Sequence, residues 1–231
     1  ITRYPETILS RKDVPYRSAL TFNAGVLKRE NGEYIMIFRN DIGDYDKQIL
    51  EGTNLGLAFS NDGIHWKVEP EPCFAMKDEE IMRVYDPRIT EIDGEYCMCF
   101  AVDTKHGVCG GMATTKDLKN FEIKSISVPE NRNMVLFPEK IGGYYYRLER
   151  PFPVYSRGGR DRFDMWISKS PDLKFIFSSV GKYSKTSVAV VYISSVAGDG
   201  VVKEVKKRLS AIDTDAIIDS HYLQPYLEDN P

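Results

Sequence analysis

Histidine is scarce, three in 231 residues, and the four cysteines, Cys73, Cys97, Cys99 and Cys109, form no Cys-x-x-Cys pair. Without paired ligand spacing no zinc or other metal site is expected, and the thiols read as reduced cysteines of a cytoplasmic protein. Excess basic charge is also missing: 31 Lys and Arg face 34 Asp and Glu, a net charge of −3. That balance lacks the electrostatic footprint of a nucleic-acid binder. No apolar run nears the roughly 18 residues of a membrane-spanning helix, and no signal-peptide pattern opens the chain. Helical periodicity is absent until residues 201–209, where apolar side chains recur at 201, 202, 205 and 209.

Aromatic residues are plentiful instead, with 14 Tyr, 11 Phe and 2 Trp. Short alternating runs punctuated by glycine suit an all-β fold, and exposed aromatic faces suit sugar rings. The runs repeat. Asn31-Gly32-Glu33-Tyr34, Asp93-Gly94-Glu95-Tyr96 and Gly142-Gly143-Tyr144-Tyr145 each precede an apolar stretch, and such turns between alternating runs signal hairpins. A second element follows each hairpin: a strand of small residues, an Asp turn, then an aromatic. Its aspartates, Asp62, Asp117 and Asp172, recur at intervals of 55 residues, followed by Trp66, Phe121 and Phe175. Trp66 and Phe121 are assigned to the core. Two hairpins in about 50 residues make one propeller blade. Three blades are expected, at about residues 20–70, 84–128 and 133–177. Three do not close a propeller, which needs at least four. The expected division is therefore a partial propeller over 1–177 and a divergent tail over 178–231, a strand followed by a helix. The uncovered blade edge is one a homo-oligomer could cover.

One stretch, Arg83-Val84-Tyr85-Asp86-Pro87-Arg88, sets a carboxylate between two guanidinium groups. Pro87 biases Asp86 toward an extended backbone. From spacing alone, Asp86 either meets a ligand or caps a turn and pairs with Arg83 or Arg88.

Longer motifs carry a resemblance. Phe22-Asn23-Ala24-Gly25 with Phe38-Arg39-Asn40, the Arg83–Arg88 stretch, and Phe100-Ala101-Val102-Asp103-Thr104-Lys105-His106-Gly107 resemble glycoside hydrolase family 130. So do residues 129–140, from Pro129-Glu130-Asn131-Arg132, and residues 147–159, from Arg147-Leu148-Glu149-Arg150-Pro151. The resemblance spans about residues 8–175 and looks most like the branch acting on 4-O-β-D-mannosyl-D-glucose. It implies a five-bladed β-propeller that cleaves a β-1,4-mannosidic bond with inorganic phosphate, inverting to α-mannose 1-phosphate and glucose. Asp86 then matches the catalytic acid, and Arg132 and Arg150 match two phosphate-holding arginines. Asn23, Arg39, Tyr85 and Asp103 fall in segments that line the sugar cleft. The implied partners are a β-mannoside disaccharide and phosphate as co-substrate, with no organic cofactor. After Phe175 the resemblance stops. The family's further phosphate-holding Lys and His have no counterpart, and His221 lacks matching surroundings.

The residue types fit this chemistry. Phosphate arrives anionic and needs no base, so one committed acid suffices. Guanidinium forks hold phosphate oxygens bidentately and stay charged at any working pH. The bland alternative pairs Arg132 and Arg150 with Glu139 or Glu149 on a solvated face. A water-using β-mannosidase would instead need a second carboxylate, with Asp103 or Glu149 as candidates. A third reading is a sugar-binding propeller without turnover.

Overall fold

The computed structural model describes residues 4–127, 129–152 and 165–175. Every regular element among them is a strand, and the strands form three antiparallel sheets. The first holds β1 (Leu20–Lys28), β2 (Tyr34–Asp44), β3 (Ile49–Ser60) and β4 (Lys67–Val68) in sequence order. The second holds β5 (Ile81–Ile92), β6 (Glu95–Thr104), β7 (Gly107–Thr115) and β8 (Glu122–Ile126). The third holds β9 (Asn131–Leu136), β10 (Tyr145–Pro151) and β11 (Trp166–Ser170). These are three propeller blades, placed where the repeats put them. The tail beyond 177, with its expected strand and helix, lies outside the described residues, as do Tyr155, Arg157 and His221.

Turn chemistry explains the repeat. At the Asp93-Gly94 corner both residues have positive φ, 54° and 75°, which a two-residue hairpin of the primed type requires. Each Asp turn is tied the same way. Asp62 accepts from the backbone N–H groups of Ile64 and His65, both at 2.8 Å. Asp117 accepts from those of Lys119 and Asn120, and Asp172 from that of Lys174. The hydroxyls of Ser60, Thr115 and Ser170 donate to these same carboxylates. Carboxylates satisfying local amides in this way fix the turn without tertiary help.

The core lies between blades. Ile35, Ile37, Leu55 and Leu57 of the first meet Val84, Ile89, Met98, Phe100 and Val102 of the second. On the second blade's other face, Cys97, Cys99 and Met112 meet Met134, Leu136, Leu173 and Phe175. Cys97 and Cys99 share a face, as two-residue spacing on a strand dictates, and all four thiols are free. Trp66 and Phe121 are half-buried and pack against the rims of two clusters. Leu9, Val14 and Tyr16, ahead of β1, cover the first blade's outer face over Met36 and Phe38. On the third blade's far face Val135, Leu148 and Ile167 form one cross-strand row, with Val135 and Ile167 exposed.

Candidate active site

Each blade's first strand is interrupted at an equivalent point. In β1 the pairing with β2 shifts between Phe22 and Gly25, and in β5 the pairing with β6 shifts between Tyr85 and Arg88. In β9 the partners pass from Leu148↔Val135 to Arg150↔Arg132. A bulge leaves an extra residue unpaired and re-aims its side chain. The residues so placed are Asn23, Asp86 and Asn133, with φ of 49°, 55° and 60°. Asp86 is therefore left-handed, not extended as Pro87 implied. Asn and Asp tolerate that conformation because their short side chains bond locally.

The first two bulges face each other at close range. A Cβ on Gly25 would lie 2.9 Å from Arg88 Cα, Ile89 N and Pro87 O, all backbone atoms. Only glycine lets the two strands approach this far. Across the junction, Asn23 Nδ2 donates to Asp86 Oδ1 at 2.8 Å. Arg39 Nη1 stands 3.7 Å from the same oxygen. Arg39 is itself fixed, donating from Nε and Nη2 to the two Asp41 oxygens at 2.6 and 3.0 Å. Its guanidinium lies 4.4 Å from the Phe22 ring centroid and 5.0 Å from that of Tyr85. The partners of Asp86 are thus Asn23 and Arg39. Its chain neighbours are occupied elsewhere: Arg83 donates to Asp103, and Arg88 Nη1 donates to the Pro87 carbonyl at 2.7 Å.

Tyr85 links this group to the third blade. Its hydroxyl donates to Asp103 Oδ1 at 2.5 Å, while Arg83 Nε holds Oδ2. Burial, reinforced by the Asp103 bond and charge, pushes the phenol up to about 12, against a smaller opposing effect of Arg132. Arg132 bears on the phenol by its charge and lies 5.3 Å over the Phe152 ring. Its Nε is buried and has no hydrogen-bond partner among the described residues. Arg150 sits directly opposite Arg132 in the ladder. Like charges facing each other across a strand pair destabilise the sheet.

Neither acidic neighbour raised from sequence is a partner of Arg132 among the described residues. Glu149 is 5% exposed and accepts from Arg147 Nη2 at 2.6 Å, Asn131 Nδ2 at 2.7 Å and Ser168 Oγ at 2.5 Å. Burial acts to raise its carboxyl; Arg147, Ser168 and Asn131 outweigh that and hold it below the usual range. Glu139 is exposed. His106 is a loop residue facing Glu80 at 3.4 Å. Six of the seven residues singled out from sequence are thereby linked by contacts or chemistry, and Arg150 joins through its register with Arg132. Sequence reading missed Phe22, under Arg39, and Arg83 as the residue that orients Asp103. The spacing of Phe22 from Arg39 held no signal, because their apposition depends on the β1 bulge. No group of three His, Cys, Asp or Glu side chains is placed to hold a metal among the described residues. Nor is any helix there long and apolar enough to cross a membrane.

Comparison with known proteins identifies a family over most of the chain. Residues 2–179 match the glycoside hydrolase family 130 profile, described as beta-1,4-mannooligosaccharide phosphorylase. Beta-1,4-mannooligosaccharide phosphorylase of Ruminococcus albus is 35% identical over 181 residues, covering 73% of this chain and 50% of that protein. A solved structure of beta-1,2-mannobiose phosphorylase from Listeria innocua superposes with a TM-score of 0.61 at 26% identity, over 74% of this chain and 63% of that one. The chain spans about half the length of the curated mannoside phosphorylases it matches, 47%, 55% and 50%. A second profile, the Bacillus/Clostridium GerA spore germination protein, matches residues 167–231. Spore germination protein GerQA of Bacillus cereus is 40% identical over 62 residues, 27% of this chain and 12% of that protein. The divergent tail is thus similar to another family altogether, which is why the blade period ends where it does. Upstream of that tail, the fold is of the five-bladed propeller type, incomplete in this chain, and by its profile, relatives and structure the chain belongs to glycoside hydrolase family 130.

Proposed function

We propose that the protein cleaves a β-1,4-mannosidic bond, that of mannosyl-glucose, with inorganic phosphate, inverting to α-mannose 1-phosphate and glucose. The observation carrying this reading is the Arg132–Arg150 pair, two guanidinium groups in one cross-strand register beside the Tyr85–Asp86 bulge. A sheet accepts that repulsion at low cost when an anion sits between the charges. Phosphate is the anion whose oxygens two forks can share.

In this reading Asp86 gives its proton to the leaving oxygen, with Asn23 and Arg39 aiming the carboxyl. Arg132 and Arg150 hold phosphate for attack on the anomeric carbon. Tyr85, oriented by Asp103, lines the sugar site with Arg39. Phosphate and mannoside are the only small partners required, and no organic cofactor takes part. Hydrolysis is disfavoured because both candidate bases are engaged, Asp103 by Arg83 and Tyr85, and Glu149 by Arg147, Asn131 and Ser168.

Incubation with mannosyl-glucose, with and without inorganic phosphate, tests the proposal by phosphorus NMR and sugar analysis. α-Mannose 1-phosphate forming only with phosphate is the expected result. Free mannose released without phosphate would establish the hydrolase instead. Mannoside binding without cleavage under either condition would leave a sugar-binding propeller.

A further inference from the structure

Two positions in the third blade break the chemistry of the other two. The residue of the second strand opposite each bulge is Phe38 in the first blade, Phe100 in the second and Glu149 in the third. Two positions earlier stand Met36, Met98 and Arg147. All six are buried, Arg147 at 2% exposure and Glu149 at 5%. Two blades thus fill these stations with an apolar pair, and the third with an ion pair. Apolar replacement of a buried ion pair is often neutral or stabilising. The fold alone therefore does not call for Arg147 and Glu149. The blade that carries them is the one in which Arg132 faces Arg150.

Glu149 ties the three described strands of that blade together. Its Oε1 accepts from Arg147 on its own strand, at 3.0 and 2.6 Å, and from Ser168 of β11 at 2.5 Å. Arg147 is itself held, its guanidinium 4.2 Å from the Phe175 ring centroid. That leaves Oε2 for β9, where Asn131 Nδ2 donates at 2.7 Å. Asn131 is 2% exposed, and its Oδ1 has no hydrogen-bond partner among the described residues. In sequence Asn131 directly precedes Arg132, and Glu149 directly precedes Arg150. The bulge disrupts the ladder at this point, while the facing guanidinium groups push the two strands apart. The Asn131–Glu149 bond crosses the strand pair where that push acts.

We propose that Glu149 is a positioning residue for phosphate, clamping the start of β9 through Asn131 so that Arg132 and Arg150 stay in register for one anion. This rests on the phosphorylase reading above. Glu149 neither touches phosphate nor moves a proton. Arg147 and Ser168 hold its carboxylate so that Oε2 is presented to Asn131.

A purely structural ion pair is the rival explanation, and two variants separate it from the clamp. Asn131→Ala cuts the clamp and leaves Arg147 with Glu149. Ser168→Ala removes a different bond to the same carboxylate, from β11, which does not pair with β9. Calorimetric titration of the full chain with inorganic phosphate should give about tenfold weaker binding for N131A, the lower end of what a charge-assisted bond is worth. S168A should bind phosphate like the wild type. Mannosyl-glucose affinity should be unchanged in both, and in turnover N131A should raise KM for phosphate without a matching fall in kcat. R147M/E149F, which gives the third blade the apolar pair of the second, should fold and share the phosphate loss. Wild-type phosphate affinity in N131A or in R147M/E149F, or an equal loss in S168A, would overturn the clamp while leaving the phosphorylase reading intact. Absence of phosphate binding by the wild type would overturn both.

Discussion

The close backbone approach between blades at Gly25 makes the sharpest prediction. Gly25→Ala places a methyl carbon 2.9 Å from three backbone atoms of residues 87–89, at least half an ångström inside ordinary contact. No side chain can rotate away to relieve it, so β1 and β5 must separate. Overpacking of this kind costs about 1–3 kcal/mol. For a chain of this size each kcal/mol lowers Tm by about 2–4 °C. The separation acts directly on the 2.8 Å bond from Asn23 to Asp86. A displacement near 1 Å at a catalytic group can cost on the order of 100-fold in rate. Gly52→Ala is the matched control, since a Cβ there meets nothing within 4 Å. Urea unfolding followed by tryptophan fluorescence, together with phosphate-dependent cleavage of mannosyl-glucose, reads both effects. If G25A matches G52A in stability and in rate, the bulge-to-bulge contact does not organise the site.

Three further expectations follow from the third blade. Arg132→Met should weaken phosphate binding by about 10- to 150-fold, the range for losing a charge-assisted bond, in a calorimetric titration. The same change should leave the free protein as stable or slightly more so, by up to about 1 kcal/mol, because it relieves the facing charges. Arg147→Met should cost about 3–5 kcal/mol in urea unfolding by leaving Glu149 buried without its cation, whereas the double change R147M/E149F should recover much of that loss. Glu149 also predicts an acid limb. Its folded value lies below the ordinary 4.5, so its contribution is complete above about pH 4.5 and is lost as pH falls through the folded value. The urea midpoint of E149Q should then fall less between pH 5 and pH 3 than that of the wild type.

The blade repeat was legible because its turns are local. Asp93-Gly94 and the Asp62, Asp117 and Asp172 caps depend on residues within three positions, which any reading of the chain can see. The partners of Asp86 were not. Arg83 and Arg88 are near in sequence, but a strand sends near neighbours to alternate faces or along the ladder. The true partners, Asn23 and Arg39, arrive from another blade through bulges that Pro87 disguises as extended chain. The fate of Glu149 did leave a trace. Arg147 and Glu149 stand where Met98 and Phe100 stand in the second blade, so the repeat itself marked them as inward-facing. The 55-residue interval runs out near residue 177, and the family profile match ends at residue 179. The interval could not say that the following residues resemble a germination protein, because a period reports only its own continuation.

The backbone at Asp86 has a practical bearing on how the proton donor is interrogated. Alanine, the customary replacement, would have to adopt φ near 55° with a Cβ and no polar tip, which costs about 1–2 kcal/mol before any chemistry is lost. An inactive alanine variant would therefore confuse a collapsed corner with a missing acid. Asparagine keeps both the shape and the conformation, so D86N removes the ionisable carboxyl, with its charge opposite Arg39, without collapsing the corner.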